Sequence, residues 1–508
     1  MSILTPAVTG SDQLHRDALT VLQPGFVGTA TPPDWVRRHL ADGLGSVALF
    51  GRNVIDLKQL AELTAQLRAE NPDLLIAIDE EGGDVTRIEA PSGSSWPGNL
   101  ALGAIDDTAL TENVARELAR ALVACGINHN WAPSADVNSD PRNPVIGVRS
   151  FGDDPELCAR HTAAWVTGLQ SAGVAACAKH FPGHGDTAID SHLGLPVVDV
   201  DVDLLRSRDL PPFLAAIEAG AKSVMTAHIM VPALDPALPA TLSRSVLTDL
   251  LRGQMGYQGL IVTDGIEMGA ISDTYGMGNG TVRALAAGAD AICVGGGHDD
   301  EETVLHLRDA IVEGVRSGEL AEERLADAAQ RVRALGSWAR IEAQAGQSDP
   351  ELAIGLRAAR RALKVVRAPG RPFTPVTERP FVASLSAEPN FAVGYETPWG
   401  VSAMLADRFP GTEAASVGPE DATPEALAAT ADRLLAGAEG RSLVLVVRDE
   451  HRYPWMTALL TRLLAARPDA AVVEMGVPQA KPAGALYVAT HGAARVCGLA
   501  AVEVLTGR

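Results

Sequence analysis

Ala175-Ala-Cys-Ala-Lys179-His-Phe-Pro-Gly-His184-Gly-Asp-Thr-Ala-Ile-Asp190-Ser-His192 joins a short apolar run to a stretch dense in ionisable side chains. Ala175 to Ala178 reads as a buried strand, and the residues after it read as a loop. Solvated turns carry polar groups without a buried strand in front of them. A strand that ends in Lys, His and Asp is how barrel enzymes present reactive groups at one face. The stretch is therefore expected to hold a catalytic or ligand-binding site.

Outward from it the same pattern recurs. Apolar runs bounded by turn signals fall at Val21 to Phe26, Ser46 to Phe50, Leu74 to Ile78, Ile127 to Trp131, Ala175 to Ala178, Ser223 to Thr226, Leu260 to Thr263 and Ala291 to Val294. Between them Asp56 to Glu70, Asp107 to Ala124, Pro155 to Ala172 and Val246 to Met255 place apolar residues at three- and four-residue intervals, the period of an amphipathic helix. Eight strand-then-helix units predict a (β/α)8 TIM-type barrel within an α/β fold. Several runs end in polar residues: Ile78 before Asp79, Trp131 before Ala132 to Asp136, Thr226 before Ala227-His228, Thr263 before Asp264. A barrel gathers all of these at one rim. The rival fold, a doubly wound open sheet, needs only one or two such loops.

The catalytic barrel domain is expected over residues 1–345, a helix and linker over 346–372, and a smaller C-terminal α/β sandwich domain over 373–508. Glu351 to Val366 reads as a basic helical segment leading into the connector Arg367-Ala-Pro-Gly-Arg-Pro372. Beyond it, strands are expected at Phe381 to Leu385, Ser442 to Val447, Ala471 to Glu474 and Ala485 to Thr490, with helices at Pro424 to Ala436 and Pro454 to Ala466. No cluster of catalytic residue types stands in this part, which points to a structural or rim-shaping role.

Over 508 residues, 42 Lys and Arg face 63 Asp and Glu, a formal charge of −21. That sign argues against nucleic acid and anionic membrane surfaces as partners. Met1 to Asp17 has neither the basic start nor the apolar stretch of an export signal, and no run reaches the roughly 18 apolar residues of a membrane span. A cytoplasmic location is the expectation. Cys125, Cys158, Cys177, Cys293 and Cys497 are scattered in apolar context, as buried thiols are. The oligomeric state is not legible.

Asp264 closes a buried strand, where a carboxylate costs desolvation energy unless it is paired or used. A functional carboxylate and a helix cap both satisfy that condition. Glu267, three residues on, reads as a capping residue rather than a catalytic one. His180 and His184 have the spacing of a helical metal pair, but Pro182 and Gly183 break any such helix. No metal and no cofactor are expected. Asp190 and His192 stand two apart on an extended loop, where side chains point the same way; a carboxylate on one imidazole nitrogen leaves the other to exchange a proton. This makes an acid/base dyad, or a loop simply tied down. Asp79 and Arg87 bracket the Gly82-Gly83 turn, and Arg149 follows Asn143 to Val148. With Lys179 they suit a neutral or acetylated sugar.

Together these motifs closely resemble glycoside hydrolase family 3, in its β-N-acetylglucosaminidase branch. The resemblance rests on Ile78-Asp79-Glu-Glu-Gly-Gly83 with Arg87, Ile146-Gly-Val-Arg149-Ser-Phe151, Lys179-His180-Phe-Pro-Gly-His-Gly-Asp-Thr187 with Asp190-Ser-His192, Met225-Thr-Ala-His228, and Thr263-Asp264-Gly-Ile-Glu-Met268. It implies a retaining glycosidase with Asp264 as nucleophile and His192, supported by Asp190, as acid/base. It also implies that Asp79, Arg87, Arg149, Lys179 and His180 hold the hydroxyls of a terminal N-acetylglucosamine. The substrate implied is a small N-acetylglucosaminide, a muropeptide fragment or chitobiose. Retaining enzymes set nucleophile and acid/base roughly 5 Å apart when both are carboxylates, so the loop with His192 is expected to close over the sugar and gate turnover. A neutral imidazole does not repel an anion, so phosphate is a candidate acceptor in a phosphorylase reaction at the same site. A β-glucosidase of the same family and a sugar-binding regulator without turnover are the other readings. One departure stands out: Asp84 occupies a place where many relatives carry a basic residue.

Overall fold

The computed structural model describes residues 10–191, 194–345, 349–371, 373–387, 392–394 and 397–508. It resolves into two compact units. The first comprises the chain up to Glu80, Ala115–Val137 and Cys158–Pro350; the second comprises Glu81–Val114, Asn138–Leu157 and Glu351–Arg508. The chain thus passes from one unit to the other after strands three and four as well as at the end of the barrel.

The first unit is a (β/α)8 TIM-type barrel. Its strands are β1 (Leu22–Pro24), β2 (Ser46–Leu49), β3 (Leu75–Ile78), β4 (His129–Asn130), β5 (Ala175–Phe181), β6 (Ser223–Thr226), β7 (Leu260–Thr263) and β8 (Ile292–Val294). β2 to β7 pair in sequence order and β1 pairs with β8, all parallel. Two seams close the ring: Ser46 Oγ donates to the Leu22 carbonyl at 3.1 Å, and the Thr263 amide donates to the Ala291 carbonyl at 3.0 Å. Alternate residues on the strands fill the interior, with Ala48, Leu75, Ala77, Cys177, Met225, Leu260, Val262 and Cys293 in one core cluster. Val332, Leu335 and Ala339 of the helix Glu322–Ala345 pack against the same cluster. A parallel barrel sheathed by helices has no wet face, so its strands read as unbroken apolar runs.

One expectation changes here. β5 runs on to Phe181, so Lys179 and His180 lie in the strand and not in the loop after it. Ala178 pairs with Val224 and Phe181 with Thr226, so β5 has one residue more than β6 over this span. Such a bulge re-aims the side chains it carries.

In the second unit, β10 (Phe381–Leu385), β11 (Glu413–Val417), β12 (Leu443–Val447), β13 (Ala471–Glu474) and β14 (Leu486–Ala489) run parallel in the order β11-β10-β12-β13-β14. β9 (Lys364–Arg367) adds an antiparallel edge against β14. Separate apolar clusters cover the two faces, which makes this an α/β sandwich. The helix expected from Glu351 to Val366 covers only Ala353–Ala362; the Lys-Val-Val-Arg that follows takes the sheet edge. β11 escaped the sequence reading because Glu-Ala-Ala-Ser-Val has little strand propensity and sits on an edge.

Candidate active site

In the barrel, β3 to β7 place ionisable side chains at or beyond their C-terminal ends. Lys179 Nζ meets Asp79 Oδ1 at 2.6 Å, and the lysine side chain is only 3% exposed. An ammonium this deep is stable only when paired. The next residue, His180, donates Nδ1–H to Asp136 Oδ2 at 2.8 Å. Asp136 is a hub: it also accepts from Ser134 Oγ at 2.9 Å, from the His184 amide at 2.7 Å and from the His180 amide at 3.2 Å. Burial opposes its charge, but His180 and the other donors outweigh burial and hold its carboxyl below the usual range. A carboxylate that receives only from donors fixes the proton of His180 on Nδ1.

His184 lies edge-on to His180, ring centroids 6.0 Å apart. Burial, and then the neighbouring His180, push it down to about 4, so its ring is neutral. Thr187 Oγ1 donates to the His184 carbonyl at 3.1 Å, which leaves Nδ1–H of His184 to donate to Thr187 Oγ1 at 2.8 Å. Its Nε2 then accepts from Ser191 Oγ at 3.2 Å. Ser191, the residue between Asp190 and His192, is thereby tied to the start of the loop that follows β5. Asp190 is buried. His192 lies outside the described residues, so the geometry of the expected dyad is not on view.

Asp264 follows β7. Its amide donates to the Thr226 carbonyl at 3.2 Å, and its Oδ1 accepts from the Gly265 amide at 2.8 Å. Buried His228 braces this turn: Nε2 donates to the Gly265 carbonyl at 2.9 Å and Nδ1 meets Thr241 Oγ1 at 2.8 Å. Burial pushes the thiol of Cys177 up to about 12, and the charges of Lys179, Asp79 and Asp264 all act on it. Glu267 Oε1 accepts from the amides of Gly295 at 3.1 Å and Gly296 at 2.5 Å, so it staples the loop after β8 rather than capping its own helix.

Arg87 and Arg149 belong to the second unit. Arg149 is buried and grips Glu81 with both forks, Nε to Oε2 at 3.0 Å and Nη2 to Oε1 at 2.7 Å, while Nη1 donates to the Val145 carbonyl at 3.0 Å. Arg87 Nη2 donates to the Ala392 carbonyl at 2.7 Å. The structure therefore sets Asp79, Lys179, His180 and Asp264 at the C-terminal ends of the barrel strands together with Asp136, His184 and His228, three residues not singled out as site residues from the sequence. Asp136 was signalled by its place five residues past Trp131, and His228 by its place after Thr226.

Residues 27–335 match the glycosyl hydrolase family 3 N-terminal domain. The chain belongs to glycosyl hydrolase family 3. It is 37% identical over 354 residues to a beta-hexosaminidase A of Pseudoalteromonas piscicida, a match that takes in 64% of this chain and 58% of that relative. A beta-hexosaminidase of Stenotrophomonas maltophilia is 37% identical over 273 residues, 52% of this chain and 79% of that one. Among solved structures, a family 3 beta-N-acetylglucosaminidase from Paenibacillus sp. str. FPU-7 superposes with a TM-score of 0.86 at 36% identity, covering 97% of this chain and 96% of that one. Glycoside hydrolase, the enzyme class expected from the motifs, is the class of these relatives. No helix among the described residues is long and apolar enough to cross a membrane.

Proposed function

We propose that this chain is a retaining exo-β-N-acetylglucosaminidase that releases terminal N-acetylglucosamine from small glycosides, muropeptide fragments or chitobiose. The observation that carries the reading is the carboxylate of Asp264 at the end of β7 in the same barrel mouth as the Asp79–Lys179 pair and the Asp136-oriented His180. The full-length likeness to the Paenibacillus enzyme supports it.

In this reading Asp264 attacks the anomeric carbon as the bond to the aglycone oxygen breaks, and His192 gives that oxygen its proton. His192, held by Asp190, then takes a proton from water as the water oxygen displaces Asp264. Two displacements on one carbon retain its configuration. Asp79, Lys179 and His180 hold the sugar hydroxyls, joined in the resemblance by Arg87 and Arg149. Charged pairs that are already locked lose little freedom on binding, so they discriminate hydroxyl positions sharply. The test is product identification on chitobiose and on a muropeptide, with and without millimolar phosphate. Free N-acetylglucosamine of β configuration as first product supports the hydrolase. Sugar 1-phosphate as the main product replaces it with the phosphorylase, and binding without turnover replaces it with the regulator.

A further inference from the structure

The turn Glu81-Gly82-Gly83-Asp84-Val85 hangs between two carboxylates. Its Glu81 amide donates to the Val85 carbonyl at 3.1 Å, and Gly82 and Gly83 take φ of 71° and 64°. A Cβ on Gly83 would stand 2.4 Å from the Gly98 Cα, so the turn is packed tight as well as left-handed. At its start Glu81 is the bidentate partner of Arg149. At its end Asp84 pairs with Arg448, and its Oδ1 accepts from the Ala493 amide at 2.6 Å. The Asp84 side chain is 2% exposed and that of Arg448 17%.

Arg448 directly follows β12, and Ala493 stands four residues past β14. Both lie at the C-terminal edge of a parallel sheet, where open α/β folds receive anionic ligands. Here the anion is this chain's own Asp84. An acidic residue at this position is matched by an arginine that only the C-terminal domain supplies. Burial raises the cost of the Asp84 charge and Arg448 lowers it, so the two must stay together.

We propose that Arg448 of the C-terminal domain is a positioning residue for substrate recognition: through Asp84 it fixes the Gly82-Gly83 turn and with it the Glu81–Arg149 pair. The C-terminal domain is then part of the specificity apparatus rather than an appendage. This rests on the proposed role of Arg149 in holding the sugar.

The test is steady-state kinetics of the full chain on nitrophenyl N-acetylglucosaminide for the wild type, Arg448→Gln, Arg448→Lys, Asp84→Asn and the double variant Asp84→Asn/Arg448→Gln. Loss of one charged partner should raise KM about tenfold while kcat stays within about twofold. Arg448→Lys should restore most of the lost affinity, and the double variant should be no worse than either single one because both break the same link. Hydrogen exchange at residues 81–85 and 145–151 should quicken in Arg448→Gln and return towards wild type in Arg448→Lys, a readout that needs no turnover. An unchanged KM in a folded, active Arg448→Gln, or single effects that multiply in the double variant, overturns the proposal. A wild type that shows no turnover of this substrate overturns instead the functional reading on which it rests.

Discussion

Replacing Asp136 by Asn removes one charge and nothing else in shape, which makes it the sharpest probe of the barrel site. In the native protein one carboxylate oxygen accepts from the backbone amides of His184 at 2.7 Å and His180 at 3.2 Å, and the other from His180 Nδ1 at 2.8 Å and Ser134 Oγ at 2.9 Å. The asparagine carbonyl can serve only one of these pairs. The two amides cannot rotate away, so the carbonyl stays with them and the new NH2 confronts His180 Nδ1–H. His180 must then shift its proton to Nε2, which turns that nitrogen from an acceptor into a donor. A hydrogen bond to a charged group is worth about 1.5–3 kcal/mol, which corresponds to roughly 10- to 150-fold in kcat/KM. The assay is hydrolysis of nitrophenyl N-acetylglucosaminide alongside thermal unfolding. A folded Asp136→Asn enzyme whose kcat/KM falls less than about threefold would refute the claim that this carboxylate sets the His180 tautomer.

Three further outcomes are expected. Asp264→Asn should cut kcat by roughly 10⁴-fold or more, as loss of a nucleophile does; near-normal turnover in the same assay contradicts its role. His192→Ala should slow substrates with poor leaving groups far more than activated aryl glycosides, since only the former need strong protonation; equal losses across a leaving-group series rule out an acid role. Stability should fall on the acid side through His184. Its folded value of about 4 lies below the ordinary 6.5, so the unfolded chain binds the extra proton between them, and stability declines as pH drops through that window by on the order of 3 kcal/mol. Asp136, also depressed, extends the loss below its ordinary 3.8. Urea midpoints at pH 7 and 4.5 should diverge less in His184→Gln than in the wild type, and an equal divergence removes His184 as the cause.

Much of the barrel is legible because its strands are buried on both faces, so Leu75-Ile-Ala-Ile78 and Leu260-Ile-Val-Thr263 carry their signal locally. β5 shows where that signal stops. Lys179 and His180 look like loop residues by polarity, yet they are strand residues, because Asp79 and Asp136 in the loops after β3 and β4 bond to their side chains. Their partners stand 100 and 44 residues away, a separation that no local pattern encodes. The same holds for Lys364-Val-Val-Arg367, whose strand exists only because β14 offers an edge.

By itself the sequence determined the barrel, the two-part α/β organisation and the candidate chemistry of Asp264, since periodicity and residue type are local properties of a chain. Tertiary structure alone decided that Asp136 orients His180, that His228 braces the Asp264-Gly265 turn, and that Asp84 finds its counter-charge in Arg448. Each of these is a buried charge or polar group answered by a partner remote in the chain. Burial makes the answer obligatory, but only the fold chooses which residue gives it.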